Sequence, residues 1–474
     1  MKRREFLGLA TAFFLQPTSA LISRTKKVVV LGAGLSGLAC AYELATRGFE
    51  VKVIEARSRP GGRVFTLRHP FLENQYVELG GELIGNGYKR LLNYARRFNV
   101  SFAETSSQIQ TGGSIAKLQD GIPTSAILKG KLYPAGSKLI ENPYRLPSTE
   151  AAELPPSILS KHIASILKQQ NAYSDYDNLS LADTLRSRGV SEQMIKLIDI
   201  SLNYNSIETV STACVLWDTL RRLNAGNIPI KIIGGNDTLI DAFHKNLLKL
   251  GVEFAFNAEV KKISQNTNYA SVSFQDGRIN QIQADRIICT IPFSVLREIE
   301  FEPPLPEVKI EAIKNLEYTQ ITKVFFQAER HEWDKRNLGS SIWTDTPCER
   351  IFDAAGKNGD KFGIFTVWTE GSGASRLEKM SDPDRIKWTK KNFIIALPFM
   401  KNKIHREATK SWTLDKYARG AYAHFTVGKF NRLHPVTKIP IGRIHFAGEH
   451  TAERYPGMEG ALESAERVIN EILD

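Results

Sequence analysis

The sequence predicts an α/β protein in which one discontinuous domain, built on a parallel sheet, is interrupted by insertions that form a second, α+β domain. A strand, a glycine turn, a helix and another strand follow one another between residues 28 and 54. A strand–helix–strand pattern returns at about 228–292, and one more strand, turn and helix close the chain. The 474 residues are enough for two domains of ordinary size.

The first of these units reads KKVVVLGAGLSGLACAYELATRGFEVKVIEAR and begins at Lys26. Its first strand, 28–31, is continuously apolar, as a strand buried in a parallel sheet should be. Apolar residues recur at helical spacing over 38–47, and a second apolar strand spans 51–54. This order of elements is that of a βαβ unit, whose parallel strands need a crossover helix.

Two long insertions separate the three segments with the parallel-sheet pattern. The first opens with a polar stretch rich in glycine and proline, from about 104 to 156, and continues as helices to 224. Within it, Ser180 and Ser191 are predicted helix N-caps. The second insertion mixes strands and helices. The predicted boundaries are 26–103, 225–295 and 421–474 for the discontinuous domain, and 104–224 and 296–420 for the inserted domain.

Residues 1–25 are predicted to be an export signal. They begin MKRREFLGLATAFFLQPTSA, in which a basic start is followed by a short apolar stretch and then small residues. The adjacent Arg3 and Arg4 resemble the twin-arginine type, which predicts a periplasmic or secreted bacterial protein carried by the twin-arginine export machinery. The apolar stretch is shorter than the roughly 20 residues that span a bilayer. The alternatives are an N-terminal membrane anchor and an irregular tail.

The net charge of +12 indicates anionic surroundings, such as a phosphate-bearing cofactor or a cell-envelope surface, with a solvated basic surface as the simpler alternative. Because the basic residues are scattered rather than clustered, we predict no nucleic-acid partner. The cysteines form no C-x-x-C pair and no cluster with histidine, so no metal site is predicted. Cys40 and Cys289 are predicted to be buried small hydrophobes, although an exported protein could pair two of its cysteines.

A predicted strand in the second insertion, YTQITKVFFQ at 318–327, carries a lysine among apolar residues. Side chains alternate between the two faces of a strand, so Lys323 shares a face with Ile321 and Phe325. Burial of an ammonium group is costly unless it has a partner. The simple interpretation is a lysine at a sheet edge that reaches water with its charged end. The other is a functional cation.

The segment GAGLSG at 32–37 is a G-x-G-x-x-G sequence between a predicted strand and a predicted helix. Gly32 permits the tight turn, Gly34 lets the backbone approach a pyrophosphate, and Gly37 allows the helix to pack closely on the strand. Glu55 ends the second strand about twenty residues on, where a carboxylate accepts hydrogen bonds from ribose hydroxyls and disfavours a 2′-phosphate. The sequence therefore predicts a dinucleotide-binding, Rossmann-like domain.

The next residues, EARSRPGGR at 55–63, contain a second glycine pair flanked by Arg57 and Arg63, which would supply further amides and cations to the pyrophosphate. This stretch resembles the FAD-binding signature of the flavin-containing amine oxidase family, which includes monoamine, polyamine and L-amino-acid oxidases and histone lysine demethylases. Four further segments resemble family signatures in the same order: VELGGELIG, IIGGNDTLIDAF with NAEVKKI, SWTLDKYARGAY, and FAGEHTAERYPGMEGALESA.

The resemblance implies a Rossmann-like FAD-binding domain with an inserted α+β substrate-binding domain. Val260 would contact adenine through its backbone, Glu449 would hold the ribityl chain, and Met458 would lie at the pyrimidine end of the flavin. Ala421 stands where some relatives have a cysteine joined to the flavin, which implies noncovalent FAD. The implied cofactor-binding residues are Gly32, Gly34, Leu35, Ser36, Gly37, Glu55, Ala56, Arg57, Gly62, Arg63, Gly80, Gly81, Glu82, Val260, Gly448, Glu449, Gly457 and Met458.

The resemblance also implies a reaction, in which a C–N bond is oxidised to an imine and oxygen is reduced to hydrogen peroxide. Lys323 matches the family lysine that holds a water at flavin N5, and Tyr422 and Trp412 complete the implied catalytic residues. Trp412 alone could instead be an ordinary core aromatic. The carotenoid desaturases and protoporphyrinogen oxidases share this FAD signature. Lys323 and the segment around Tyr422 argue against membership of those families. A non-catalytic FAD-bound envelope protein is the alternative from another functional class.

The substrate is predicted to be a primary amine or polyamine, with an L-amino acid as the alternative. Tyr422 matches one side of the aromatic pair that holds the amine in monoamine oxidases, but the other side falls near Gly457, which has no side chain. Many amino-acid oxidases place an arginine just after the position of Gly81, whereas Glu82 follows here. Glu82 would attract a cationic amine, or it is an acid that positions the flavin or serves only the structure. An arginine from the inserted domain could replace the missing one. A homodimer is left open.

Overall fold

The structure is a computed structural model that describes residues 26–104, 124–134, 144–150, 153–169, 173–200, 202–226, 228–336, 338–354 and 361–474. The predicted export signal, 1–25, and part of the polar stretch from 104 to 156 lie outside the described residues. Within the described ranges, every helix is too short or too polar to cross a membrane.

A sheet of five parallel strands organises the first layer of the fold. Its strands come from three separate parts of the chain, and the continuously apolar strand at its centre is fully buried. The strand order is Glu253–Ala255, Glu50–Ile54, Lys27–Leu31, Arg286–Cys289 and Ile444–Phe446. One apolar core packs helix 35–45 against this sheet together with the closing helix, 457–473.

The strand at the start of the predicted 228–292 unit does not join the parallel sheet. Pro229–Ile232 pairs antiparallel with Ile84–Gly85 and Phe102–Glu104 in a small separate sheet. The prediction that this unit begins with a parallel strand is therefore wrong. Its helix, Asp237–Lys249, does pack on the parallel sheet, and the strand that follows it is an edge strand of that sheet.

A mixed sheet of seven strands forms the centre of the inserted domain. Two of its strands lie in the polar stretch from about 104 to 156, where the polar composition conceals their short apolar runs. The order is Ile404–Ser411, Ile321–Glu329, Phe362–Glu370, Arg350–Asp353, Ser341–Thr344, Thr124–Leu128 and Lys131–Tyr133. The strand that carries Lys323 is thus interior, between two neighbours, and the interpretation of Lys323 as an edge lysine is wrong.

Smaller sheets complete the fold. Their strands are Ile279–Ala284, Ala270–Gln275, Glu259–Gln265 and Glu300–Glu302 in one sheet, Glu317–Tyr318 with Ala423–His424 in another, and Thr66–Leu67 with Val77–Glu78 in a third. The α-helices are Leu35–Ala45, Lys89–Arg97, Pro155–Lys168, Leu181–Ser187, Glu192–Asp199, Thr212–Asn224, Asp237–Lys249, Phe293–Leu296, Glu307–Asn315, His331–Lys335, Gly371–Glu378, Asp382–Ala396, Phe430–Thr437 and Gly457–Leu473. The 3-10 helices are Tyr173–Tyr176, Pro398–Met400 and Glu449–Thr451.

Both predicted N-caps in the first insertion are confirmed. The Ser180 hydroxyl accepts a hydrogen bond from the Asp183 backbone N–H at 3.0 Å, and the Ser191 hydroxyl accepts one from that of Met194 at 3.2 Å. The four cysteines are all buried and free, as predicted for Cys40 and Cys289. No pair of them forms a disulfide in the part of the chain that the structure describes, which includes all four.

Candidate active site

A cavity of about 390 Å³ lies at the carboxyl ends of the parallel strands and extends to the seven-stranded sheet. Residues that directly follow three of those strands line it, which is where open parallel sheets bind their ligands. The cavity lining brings together all predicted site residues except Gly37. Those on it are Gly32, Gly34, Leu35, Ser36, Glu55, Ala56, Arg57, Gly62, Arg63, Gly80, Gly81, Glu82, Val260, Lys323, Trp412, Tyr422, Gly448, Glu449, Gly457 and Met458.

The first glycine turn presents an uncapped helix N-terminus to this cavity. Helix 35–45 has no side-chain cap and no acidic residue in its first turn, so its first N–H groups are free to bind an anion. A Cβ built at Gly34 would have no neighbour within 4 Å, which leaves open space above the turn. A Cβ at Gly37 would come to 2.0 Å from the Gly32 carbonyl oxygen. Gly37 therefore serves close packing, and Gly34 leaves room for a ligand.

Glu55 is fixed at the end of its strand by two backbone amides. Its carboxylate accepts hydrogen bonds from the N–H of Ala33 at 2.7 Å and of Arg57 at 2.8 Å. Burial raises the pKa of Glu55, and these two hydrogen bonds oppose the rise. The side chain is thus held in one position beside the glycine turn, as recognition of a ribose requires.

The two predicted pyrophosphate cations are already paired with protein groups. Both terminal nitrogens of Arg57 donate to the carboxylate of Asp415, at 2.5 and 3.1 Å. Burial opposes ionisation of Asp415, but hydrogen bonds from Arg57 and Lys410 outweigh it and lower its pKa to about 2. Arg63 donates to the Ala421 carbonyl and lies 3.4 Å from Glu449. The positive charge offered to an anion is therefore smaller than the sequence predicts, and the helix N-terminus is the main anion-binding element.

Three chain segments approach one another closely at the cavity wall, and at Gly80 they leave no room for a side chain. A Cβ at Gly80 would lie 1.7 Å from the Arg63 carbonyl oxygen, and one at Gly81 would lie 3.1 Å from the Met458 sulfur. The Trp412 indole N–H donates to the Leu79 carbonyl at 2.7 Å and fixes this wall from behind. The result is a wall on which two glycines leave the backbone uncovered, so that a planar ring could approach it closely.

Next to Val260 the regular pairing of strand 259–265 is interrupted, because Val260 pairs with Phe274 and Lys262 with Ser273, which leaves Lys261 as the extra residue. The register of strand 259–265 against its antiparallel neighbour shifts between Val260 and Lys262, where the strand meets the cavity. Such an irregularity leaves backbone N–H and C=O groups without ladder partners. Val260, to which the resemblance gives the adenine contact, and Lys261 both line the cavity at this irregularity.

Lys323 is buried, with 1% of its surface exposed, and its charge has a partner. Its ammonium donates to the Glu82 carboxylate at 3.0 Å and to the Glu78 carbonyl at 3.2 Å, and lies 4.0 Å from the Trp368 ring centre. These contacts offset the cost of burial and leave Lys323 at the cavity surface. This pairing favours the alternative interpretation of Glu82 as an acid that fixes Lys323, because its charge is already matched by that of the lysine.

The far end of the cavity contains residues that the sequence did not single out. Tyr88 stands beside the gap at Gly457, since a Cβ built there would lie 3.6 Å from its hydroxyl. Trp368 and Arg222 line the same region as Tyr422. Trp368 lies directly opposite Lys323 on the neighbouring strand, a relation that becomes visible only once strand pairing is known.

Behind Trp368 lies a buried acid whose titration is expected to affect stability. Burial raises the pKa of Glu349 to about 8, while its carboxylate accepts a hydrogen bond from the Glu370 N–H at 2.9 Å. The ordinary value is 4.5. Between these values the folded state keeps a proton that the unfolded state releases, so the free energy of unfolding falls as pH rises through this window.

Glu349→Gln is therefore expected to reduce this decline, because the amide keeps the acceptor oxygen and cannot ionise. The unfolding free energy of the variant minus that of the parent should be larger at pH 8 than at pH 5 by at least about 1 kcal/mol. Denaturant unfolding at both pH values measures this difference. Glu192→Gln, at an exposed carboxyl whose pKa is lowered by Arg186, is the control. An equal effect of Glu349→Gln at both pH values would contradict the prediction.

The residues present fit FAD. The open space above Gly34, the uncapped helix N-terminus, the fixed Glu55 and the glycine wall all line one cavity. They match a pyrophosphate, a ribose and a planar ring. His450, buried on the same wall, has two ring nitrogens without a partner among the described residues, so hydrogen-bonding capacity remains for a ligand.

Comparisons with known proteins agree with this geometry. A model of the family described as flavin containing amine oxidoreductase matches residues 35–473. The Bacillus subtilis (strain 168) protein YobN, whose name assigns it provisionally to the L-amino-acid oxidases, is 30% identical over 469 residues, with 94% of each chain covered. An L-amino-acid oxidase of Vipera ammodytes ammodytes is 29% identical, over 93% of this chain and 91% of its own.

Solved structures share the fold over nearly the whole chain. Putrescine oxidase bound to putrescine has a TM-score of 0.76 at 20% identity, covering 95% of this chain and 99% of that chain. Cyclohexylamine oxidase from Brevibacterium oxydans IH-35A has a TM-score of 0.77 at 17% identity, covering 95% and 100%. These likenesses confirm the predicted fold class of a discontinuous Rossmann-like FAD-binding domain with an inserted α+β substrate-binding domain.

Proposed function

Because the chain belongs to the flavin-containing amine oxidoreductase family, we propose that it oxidises a primary amino group on a CH carbon with noncovalent FAD and oxygen. The observation that carries this proposal is the continuity of one cavity, which has the dinucleotide-binding turn at one end and the buried Lys323 at the other. A non-catalytic FAD-binding protein would have no use for a buried ammonium group at its cofactor wall.

FAD, when bound, supplies the acceptor for the hydride equivalent that leaves the substrate carbon. The substrate loses two electrons and two protons and becomes an imine, which water hydrolyses to a carbonyl compound and ammonia. Oxygen takes up two electrons and two protons and becomes hydrogen peroxide. Ala421 offers no nucleophile for a bond to the cofactor, which supports noncovalent binding.

The protein itself positions the reacting groups and stabilises charge around them. Glu82 and the Glu78 carbonyl fix the Lys323 ammonium, whose remaining donor capacity faces the cavity and can hold a water molecule. Trp412 and Trp368 surround this point with apolar rings and exclude bulk water. A water held by a fixed cation in an apolar site is oriented before the reaction begins, which is how preorganised sites lower a barrier.

Two substrate classes remain, amines and L-amino acids. The sequence favours amines because no arginine follows Gly81 and because Glu82 would attract a cation. The pairing of Glu82 with Lys323 removes the second reason. The curated relatives named above carry the L-amino-acid oxidase name at 29–30% identity over nearly the whole chain, which supports an L-amino acid as the second candidate.

Anaerobic reduction of the bound flavin tests the proposal directly. The purified holoprotein is mixed with primary amines, polyamines and L-amino acids, and loss of the flavin absorbance is followed, with peroxide measured in parallel under air. We expect one class to bleach the flavin and to yield peroxide. If FAD is bound and no compound reduces it, the protein is a non-catalytic FAD-binding protein and the proposal fails.

We also propose that the protein is exported through the twin-arginine route to the periplasm or the medium. The paired Arg3 and Arg4 before a short apolar stretch support this, and a route that carries folded proteins would allow FAD to bind before export. Replacement of Arg3 and Arg4 by lysine is expected to retain active protein in the cytoplasm. Fractionation of cells measures the distribution, and unchanged export of the double variant would contradict the route.

A further inference from the structure

Arg222 is an arginine of the inserted domain whose charged end faces the active-site cavity. It lies in the last turn of helix 212–224, and its Nε donates to the Asp218 carboxylate at 2.7 Å. Asp218 is itself fixed, because Arg221 donates to it at 2.6 Å and the Tyr204 hydroxyl donates at 3.2 Å. One edge of the Arg222 guanidinium group is thus held in place by the protein.

The other edge of that group is free. Its two terminal nitrogens, Nη1 and Nη2, have no hydrogen-bond partner among the described residues, and 39% of the side chain is exposed although it lines the cavity. Tyr88 and Tyr422 line the same cavity, and no hydrogen bond acts on either hydroxyl within the described part of the chain. Two parallel N–H groups in a plane are the arrangement that binds a carboxylate with two hydrogen bonds.

The local charge balance favours an anion. The guanidinium groups of Arg221, Arg222 and Arg350 face the carboxylates of Asp218 and Glu370, which leaves one net positive charge. Glu370 is already held by Arg350 and by the Trp368 indole N–H. Arg221 and Arg222 therefore share the single carboxylate of Asp218, and of these two arginines Arg222 is the one with both terminal nitrogens free of a partner in the described residues.

We propose that the free edge of Arg222 binds the carboxylate of the substrate, so that the substrate is an amino acid rather than a simple amine. This inference rests on the proposed oxidation of an amino group in the same cavity. Arg222 takes the place of the arginine that is missing after Gly81, and it comes from the inserted domain instead of the cofactor wall. Tyr88 and Tyr422 supply further donors beside it, and the gap at Gly457 leaves room for the side chain of the amino acid.

Matched substrate pairs test this assignment. Each L-amino acid in a panel is compared with the amine that lacks its carboxylate, for example L-leucine with 3-methylbutylamine and L-phenylalanine with 2-phenylethylamine. For the best pair we expect kcat/KM for the amino acid to exceed that for the amine by at least about 30-fold, the equivalent of the roughly 2 kcal/mol lower limit for loss of one partner of a desolvated charge pair. In Arg222→Gln this ratio should fall by at least about 30-fold, mainly through KM. Arg222→Lys keeps the charge but lacks the two parallel N–H groups, so its ratio should lie between those of the parent and of Arg222→Gln.

Arg186→Gln is the matched control, because Arg186 is an exposed arginine on another helix of the inserted domain that pairs with Glu192 and Glu208. It should keep the parent ratio. If amines reduce the flavin as well as the corresponding amino acids, or if Arg222→Gln keeps the ratio, the assignment is wrong.

A binding measurement separates failure of this inference from failure of the proposed reaction. The holoprotein is titrated with 3-methylbutanoate and with 3-methylbutanamide, and binding is followed through changes in the visible flavin spectrum. We expect the carboxylate to bind at least about 10-fold more tightly than the amide, and Arg222→Gln to abolish this difference. Should no amino compound reduce the flavin, preferential carboxylate binding that depends on Arg222 would still support the subsite. Equal binding of acid and amide would overturn it.

Discussion

Replacement of Lys323 by methionine is expected to slow reduction or reoxidation of the bound flavin by a factor on the order of 10²–10⁴, the range of a positioned proton-handling group. Methionine has nearly the same length, so the cavity wall keeps its shape, but it donates no hydrogen bond. The water that the ammonium group orients would lose its fixed partner. Stopped-flow measurement of both half-reactions, anaerobic reduction by substrate and reoxidation by oxygen, tests this expectation.

Two further variants make the Lys323 result interpretable. Glu82→Gln leaves Lys323 in place but removes its anionic partner, and its effect should be smaller than that of Lys323→Met. Lys403→Met removes a surface lysine that pairs with Glu329 and should leave both rates unchanged. The ratio of FAD to protein and the thermal midpoint show whether Lys323→Met is folded and loaded. Parent rates of both half-reactions in a loaded variant would exclude the proposed role of Lys323.

Substitution of alanine at Gly34 is expected to weaken FAD binding by at least about 100-fold, whereas alanine at Gly37 should mainly destabilise the fold. A Cβ at Gly34 meets no protein atom within 4 Å, and the backbone φ of −71° is one that alanine adopts freely. The methyl group would instead occupy the space of the pyrophosphate. At Gly37 the methyl group would lie 2.0 Å from a backbone oxygen, so the helix would have to move away from the turn.

The two glycine variants are distinguished by measuring two quantities on each. Titration of the deflavinated protein with FAD, followed by fluorescence, gives the affinity, and denaturant unfolding of the same preparation gives the stability. Gly34→Ala should keep the unfolding free energy within about 1 kcal/mol, while Gly37→Ala should lose roughly 2 kcal/mol or more through strain. Parent FAD affinity in Gly34→Ala would mean that no cofactor group lies above this turn.

The nucleotide-binding half of the molecule was predictable because its signals are local. These signals are a glycine with positive φ at Gly32, an open position at Gly34 and an acid at the end of the next strand. They lie within about twenty residues of one another, so the sequence contains all of them. The sequence also singles out Lys323 as a residue that needs an explanation, since a lysine within an apolar strand is visible without a structure. Its cavity-facing position agrees with the functional interpretation.

The substrate end was not predictable, because its residues come together only through packing of separate segments. The partner of Lys323 is Glu82, more than two hundred residues away, and the sequence alone left open whether that acid serves the substrate, the flavin or the structure. Tyr88 and Arg222 belong to helices on different domains, and neither sits in a recognisable motif. Likewise, the antiparallel pairing of strand 229–232 depends on partners at 84–85 and 102–104 that local hydrophobic patterns do not specify.

The order of strands in the parallel sheet also sets when the cofactor site can exist during synthesis. The edge strand 444–446 pairs with 286–289, so a backbone edge stays unpaired until more than 150 further residues have been made. Gly448, Glu449 and Met458, which line the cofactor cavity, follow that last strand. The cofactor cavity of a nascent chain is therefore incomplete until its last segment leaves the ribosome, and in the meantime the open strand edge is the kind of surface that promotes aggregation.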